Sequence, residues 1–137
     1  MVGWNARMDS LQAEVLLNKL PYLDGYNMRR RAIATQYNGT LHRHVEIPAQ
    51  NTNSKHVYHQ YVIRHPGVDQ ISKFLLSKGI QSRRYYPTPL HKTKTYNDMA
   101  VYSNSEYCSA NALAIPVHQY LTDNDVTSII NAIKEAT

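Results

Sequence analysis

The residues best equipped for chemistry gather where regular elements are expected to end. Asn5 and Arg7 precede an apolar-periodic stretch, Tyr85, Tyr86 and His91 flank a loop holding Pro87 and Pro89, and His118 and Tyr120 follow Pro116. An amide, a guanidinium, phenols and imidazoles on loops held by a rigid scaffold suit an anionic, polar ligand. Each also has a plainer role: Asn5 can cap a helix, Arg7 can pair with Asp9, and the tyrosine rings can pack at a core rim.

Other chemistries have less behind them. His42 and His44 sit near an expected helix end, and His56 and His59 fall on an expected strand, where residues three apart face opposite sides. With no cysteine partner and no HExxH helix, no metal ligand is assigned. Cys108, the only cysteine, lies in the helical-looking stretch SEYCSANA and reads as a packed or half-buried residue rather than a nucleophile. The five glycines are scattered, so no phosphate-cradling loop exists.

The elements that must position these residues follow one another closely. Asp9 and Gln12 have capping-box spacing, and Leu11, Val15, Leu16, Leu20 and Leu23 then recur at helical intervals, with Pro21 as a stop or kink. A second helix is expected over 23–41. Pro48 to Lys55 reads as a loop, and HVYHQYVIR, residues 56–64, alternates like a strand. Asp69 to Lys78 reads as a helix closed by Gly79, Ile80 to Tyr86 as extended, Asn104 to Ala112 as helix and Leu113 to Ile115 as strand. Thr122 caps a last helix whose first turn carries Asp123 and Asp125. This order predicts a single α+β domain over 1–137, a small antiparallel sheet covered by helices.

Composition narrows the function classes. The chain has 137 residues, 42% of them apolar and 18% charged, enough for a core and too balanced for wholesale disorder. Eleven tyrosines stand against one Phe and one Trp, an excess that suits core margins or a cleft. A lone cysteine rules out an internal disulfide, and no apolar run approaches a membrane span, so a cytoplasmic protein is expected. The net charge of +5 is not focused: Arg29, Arg30 and Arg31 point in different directions around a helix and read as a solvated face. No nucleic-acid partner is expected.

Beyond these local readings, GWNARMDSLQAEVLLNKL (3–20) resembles the G-x-N-x-R-[ML]-x-x-[LI]-Q-A-A-x-L pattern of the DegT/DnrJ/EryC1/StrS aminotransferases. These are pyridoxal-phosphate enzymes that install an amino group on keto sugars linked to nucleotides. RRRAIATQYNGTL, HVYHQYVIR, GIQSRRYYPTPLH and NALAIPVHQYLTDNDVTSIINAI resemble further family segments, in the family order. The Y-Y-P-x-P-L-H and H-x-Y-L spellings look closest to members that aminate UDP-linked acetamido sugars of surface polysaccharides.

The resemblance implies the small C-terminal domain of a fold-type I aminotransferase, with the large pyridoxal-phosphate domain absent from these residues. The family's Schiff-base lysine lies before the G-x-N-x-R segment, whereas every lysine here, from Lys19 to Lys134, lies after it. No catalytic residue is therefore expected, and the chain alone should be inactive and bind no cofactor. By the same resemblance Asn5 matches the asparagine that reaches the cofactor phosphate of a neighbouring subunit, and Arg7 an arginine near that dimer-shared site. Tyr85 takes a substrate-side position, and Tyr86 and His91 line the sugar-nucleotide cleft. Arg83 and Arg84 replace residues that are commonly small or apolar, and Glu14, Ala114 and Gln119 also depart from the pattern. A homo-oligomer acting on a nucleotide sugar is implied. The alternative is a free-standing module that binds nucleotide sugar, or self-associates through its apolar helix surfaces, without catalysis.

Overall fold

The computed structural model describes residues 7–51 and 53–137. Asp9 starts α1 (Ser10–Lys19): its carboxylate accepts from the Leu11 amide at 2.8 Å, and Gln12 Oε1 accepts from the Asp9 amide at 3.4 Å. Pro21 falls inside one 3-10 turn, Leu20–Tyr22, at a position where its missing N–H costs nothing. The chain then runs straight into α2 (Leu23–Leu41), with the bounds the sequence predicts.

α2 buries Ile33, Ala34, Tyr37 and Leu41, one face of its second half. After a loop, β1 (Tyr61–Arg64) pairs antiparallel with β2 (Ala112–Ile115), Tyr61 opposite Ile115 and Arg64 opposite Ala112. Single bridges extend this two-stranded sheet on either side, Glu46 with Arg64 and Arg83 with Ala114. The expected strand over 56–64 is shorter than its alternation suggests. The Tyr58 amide donates to His56 Nδ1 at 2.8 Å and Tyr58 takes φ 48°, so a local turn displaces extended backbone until Tyr61.

α3 (Val68–Ser77) buries Val68, Ile71 and Leu75, and Gly79 at φ 75° turns the chain out of it. α4 (Ser103–Asn111) leads directly into β2, and α5 (Asp123–Ala136) closes the domain. Thr122 caps α5 as expected, its hydroxyl accepting from the Asp125 amide while Asp125 accepts from the Thr122 amide at 2.8 Å. α3 packs on α5 and β2, and α5 on α2, around Ile63, Leu113, Val126, Ile129 and Ile133. The architecture is the α+β class expected, a small antiparallel sheet covered by helices.

Two tyrosines complete the core rather than its margin. Tyr37 and Tyr61 are fully buried with ring centroids 5.0 Å apart. Their hydroxyls find acceptors, Tyr37 at the Pro116 carbonyl (2.8 Å) and Tyr61 at Asn38 Oδ1 (2.5 Å). Burial pushes both phenols well above the usual tyrosine range.

Two further expectations need correction. Arg29 and Arg30 are not a solvated face. Arg29 donates to the Leu121 carbonyl at 2.6 Å and pairs with Asp123 at 2.8 Å. Arg30 reaches the Val117 carbonyl at 2.6 Å, the Tyr58 and His59 carbonyls, and Gln119 Oε1. Loops distant in sequence supply these acceptors, which is why helix geometry alone misreads the arginines. Cys108 is exposed rather than packed, with Sγ 3.8 Å from Arg64 Nη1. No helix among the described residues is long and apolar enough to cross a membrane.

Candidate functional site

Arg83 is where the fold begins to build a site. Its amide donates to the Ala114 carbonyl at 3.0 Å and its carbonyl accepts from the Ala114 amide at 2.7 Å, fixing this stretch to the rim of β2. Extended backbone sends successive side chains to opposite sides. Arg84 accordingly turns away, bonding Asp69 at 2.8 Å and the Ser109 and Ala110 carbonyls at 2.6 and 2.7 Å. Arg83 and Tyr85 instead line a groove of about 760 Å³ that runs to the Pro116–His118 loop. The Arg83 guanidinium lies 6.0 Å from the Tyr85 ring centroid. His59 and His118 contribute imidazoles, and Ser72 and Ser82, with Oγ atoms 3.0 Å apart, contribute hydroxyls. Among the described residues no carboxylate lines this groove, so its chemistry is that of donors facing an anion.

The three substrate-side residues of the sequence analysis do not share one surface. Tyr85 lines the groove, and Tyr86, 74% exposed, sets its ring edge-on to Tyr85 at 5.7 Å. His91 sits on a short 3-10 turn, Leu90–Lys92, and opens to a separate depression of about 520 Å³ with Tyr96, Asp98 and Tyr102. Its Nε2 is 3.2 Å from Glu106 Oε1, and its ring packs 4.8 Å from that of Tyr102. Lys92, and then His91, hold the Glu106 carboxyl below the usual range. The Ala100 amide and the Tyr102 hydroxyl do the same for Asp98, whose own amide donates to the His91 carbonyl at 2.8 Å. His91 is thus a member of a hydrogen-bonded strut.

Of the two residues at the start of the chain, Asn5 lies outside the described residues. Arg7 is exposed and makes no ion pair with Asp9. His118 lines the groove as a loop residue, while Tyr120 is exposed and leans on Tyr26, centroids 6.1 Å apart. Sequence reasoning weighed His59 only as a metal ligand and did not single out Ser72 or Ser82. They meet only because the Arg83–Ala114 bridge joins segments far apart in the chain, and no local pattern announces it. Among the described residues no group of three or more histidine, cysteine, aspartate or glutamate side chains converges as a metal site would require.

Comparison with known proteins places this geometry in a wider frame. The model of the DegT/DnrJ/EryC1/StrS aminotransferase family matches residues 1–134. A pleiotropic regulatory protein of Geobacillus stearothermophilus is 31% identical over 98% of this chain and 38% of its own length. The dTDP-3-amino-3,6-dideoxy-alpha-D-galactopyranose transaminase of Aneurinibacillus thermoaerophilus is 31% identical over 96% of the chain and 37% of its own. A UDP-N-acetyl-3-dehydro-alpha-D-glucosamine 3-aminotransferase of Acidithiobacillus ferrooxidans is 29% identical over 98% of the chain and 37% of its length. Among solved structures, a DegT DnrJ EryC1 StrS aminotransferase from Brucella abortus superposes with TM-score 0.90 at 33% identity, covering 98% of this chain and 37% of that one. The PLP form of a sugar aminotransferase from Streptococcus pneumoniae matches with TM-score 0.85 at 25% identity, over 95% of this chain and 36% of that one. The chain thus spans little more than a third of the length of the proteins it matches.

The residues described here do not by themselves fit pyridoxal phosphate. Among the described residues no lysine lines the groove at Arg83 or the depression at His91, and the Lys78 amine, elsewhere, is held by Glu135 at 3.3 Å.

Proposed function

The chain belongs to the DegT/DnrJ/EryC1/StrS aminotransferase family, and from that we propose that residues 1–137 are the small-domain part of an enzyme that transfers an amino group to a keto sugar linked to a nucleotide. The family match through residue 134 carries this reading above all other observations. The sugar is proposed to be a UDP-linked acetamido sugar, in line with the name of the Acidithiobacillus relative. Tyr85 and Tyr86 present phenols to it, and His91 keeps the loop that follows them in shape through Glu106. By the family pattern Asn5 is assigned to the cofactor phosphate of a neighbouring subunit in a homodimer, and Arg7 to a place near that shared site, in an enzyme working in the cytoplasm. Pyridoxal phosphate supplies the amino-transfer chemistry in such an enzyme, and these residues alone bind none.

The test is direct. The purified 137-residue chain is incubated with pyridoxal phosphate, a UDP-linked acetamido keto sugar and glutamate, and amino-sugar formation is followed by mass spectrometry. No product is expected, because no lysine of the chain matches the family's Schiff-base position. Robust turnover would sink the reading.

A second reading has one observation in its favour. Leu11, Leu17 and Leu20 of the first helix and its turn are each more than 60% exposed, a surface on which a free-standing module can self-associate. Sedimentation showing a monodisperse monomer, together with no binding of UDP sugar, would remove it.

A further inference from the structure

We infer that Arg83 forms a specificity-determining seat for an anionic oxygen group of the ligand, a diphosphate or a sugar carboxylate; this rests on the proposed function and narrows its substrate. Among the guanidiniums near the groove, Arg30 is engaged by four acceptors and Arg84 by Asp69 and two carbonyls. Arg83 has no carboxylate or carbonyl partner for its guanidinium among the described residues. Its main chain is locked to Ala114 by two hydrogen bonds, and its side chain stands over Tyr85. The base of the side chain is therefore fixed while the planar fork of N–H donors stays available.

The surroundings add hydrogen-bonding groups and, among the described residues, no opposing charge. His59 and His118 line the same groove, Ser82 adds a hydroxyl, and among the described residues no aspartate or glutamate lines it. A guanidinium binds phosphate or carboxylate through two parallel N–H···O bonds, a geometry that an ammonium does not reproduce. The groove, at about 760 Å³, is of a size that takes a small-molecule ligand.

Titration calorimetry on the 137-residue chain tests this with inorganic pyrophosphate, UDP-N-acetylglucosamine and the corresponding UDP-N-acetylglucosaminuronate. Arg83→Gln is compared with Arg43→Gln, which removes the same charge from an exposed position outside the groove. Arg83→Lys separates charge from fork geometry, and circular dichroism checks that each variant stays folded. Arg83→Gln is expected to weaken binding about tenfold or more, Arg83→Lys to recover part of the loss, and Arg43→Gln to change nothing. Loss with pyrophosphate and both sugars identifies a diphosphate seat; loss confined to the uronate identifies a carboxylate seat. Equal loss in Arg43→Gln and Arg83→Gln, no loss in Arg83→Gln, or no binding by the unaltered chain overturns the inference. UDP sugars that bind independently of Arg83 overturn it while leaving the proposed function standing. Arg83-dependent pyrophosphate binding with no affinity for any UDP sugar does the reverse.

Discussion

The two ends of this molecule contain the same kinds of apolar residue and use them in opposite ways. In α5, Val126, Ile129, Ile130 and Ile133 repeat at helical spacing and all are buried. In α1, Leu11, Val15 and Leu16 repeat in the same manner and none is buried. The difference lies in neighbours. α5 has α2 and α3 against it, whereas the main neighbour of α1 is the short turn that follows it. Amphipathic periodicity is thus a statement about a helix and not about what covers it.

The sharpest way to break this comparison is to truncate a leucine on each side. Leu75→Ala, in the centre of the α3–α5 packing, is expected to cost about 3 kcal/mol. Leu17→Ala on α1 is expected to stay within about 0.5 kcal/mol. Urea denaturation of both variants checks the pair. A similar loss at both positions would mean that α1 is packed in solution by a second surface.

A smaller effect belongs to the buried phenols. Tyr37→Phe leaves the Pro116 carbonyl without its donor and should cost about 1–2 kcal/mol. The folded state also holds the Tyr37 and Tyr61 hydroxyls neutral above the unfolded tyrosine value of about 10. Stability from this source is therefore complete below that pH and lost as pH rises toward the folded values. Thermal melts across the alkaline range should show a shallower decline for Tyr37→Phe than for the unaltered chain.

The smallest effect separates two caps of similar design. Thr122→Ala removes the cap of a helix that closes the core and should lower global stability by about 1 kcal/mol. Asp9→Ala removes the corresponding cap of α1, and should lower helical signal near Ser10 with little change in the urea midpoint. Amide exchange by NMR distinguishes local fraying from global loss.

Much of the scaffold was legible because caps and apolar repeats are local signals. The α2 bounds, the Asp9–Gln12 capping box, the Thr122 cap and the Gly79 turn follow from residues within a few positions of one another. Arg30, by contrast, owes its role to carbonyls at Tyr58 and Val117, and the shortened β1 to a ring nitrogen and an unusual backbone angle at Tyr58. The candidate site divides along the same line. Tyr85 and His118 stood out as loop residues near prolines, and both line the groove. His91 stood out equally, but its partner Glu106 comes from α4 and draws it into a separate cluster.

The sheet carries one more consequence. Two strands alone leave two open edges, each a template on which a foreign strand can grow. Here each edge is occupied by a single rung, Glu46 beside Arg64 on one side and Arg83 beside Ala114 on the other. The Glu46 carboxylate and the Arg64 guanidinium also lie 3.0 Å apart. A charged pair at one border and an arginine at the other make poor company for an incoming apolar strand, so the segments that build the groove wall also guard the sheet against edge-to-edge aggregation.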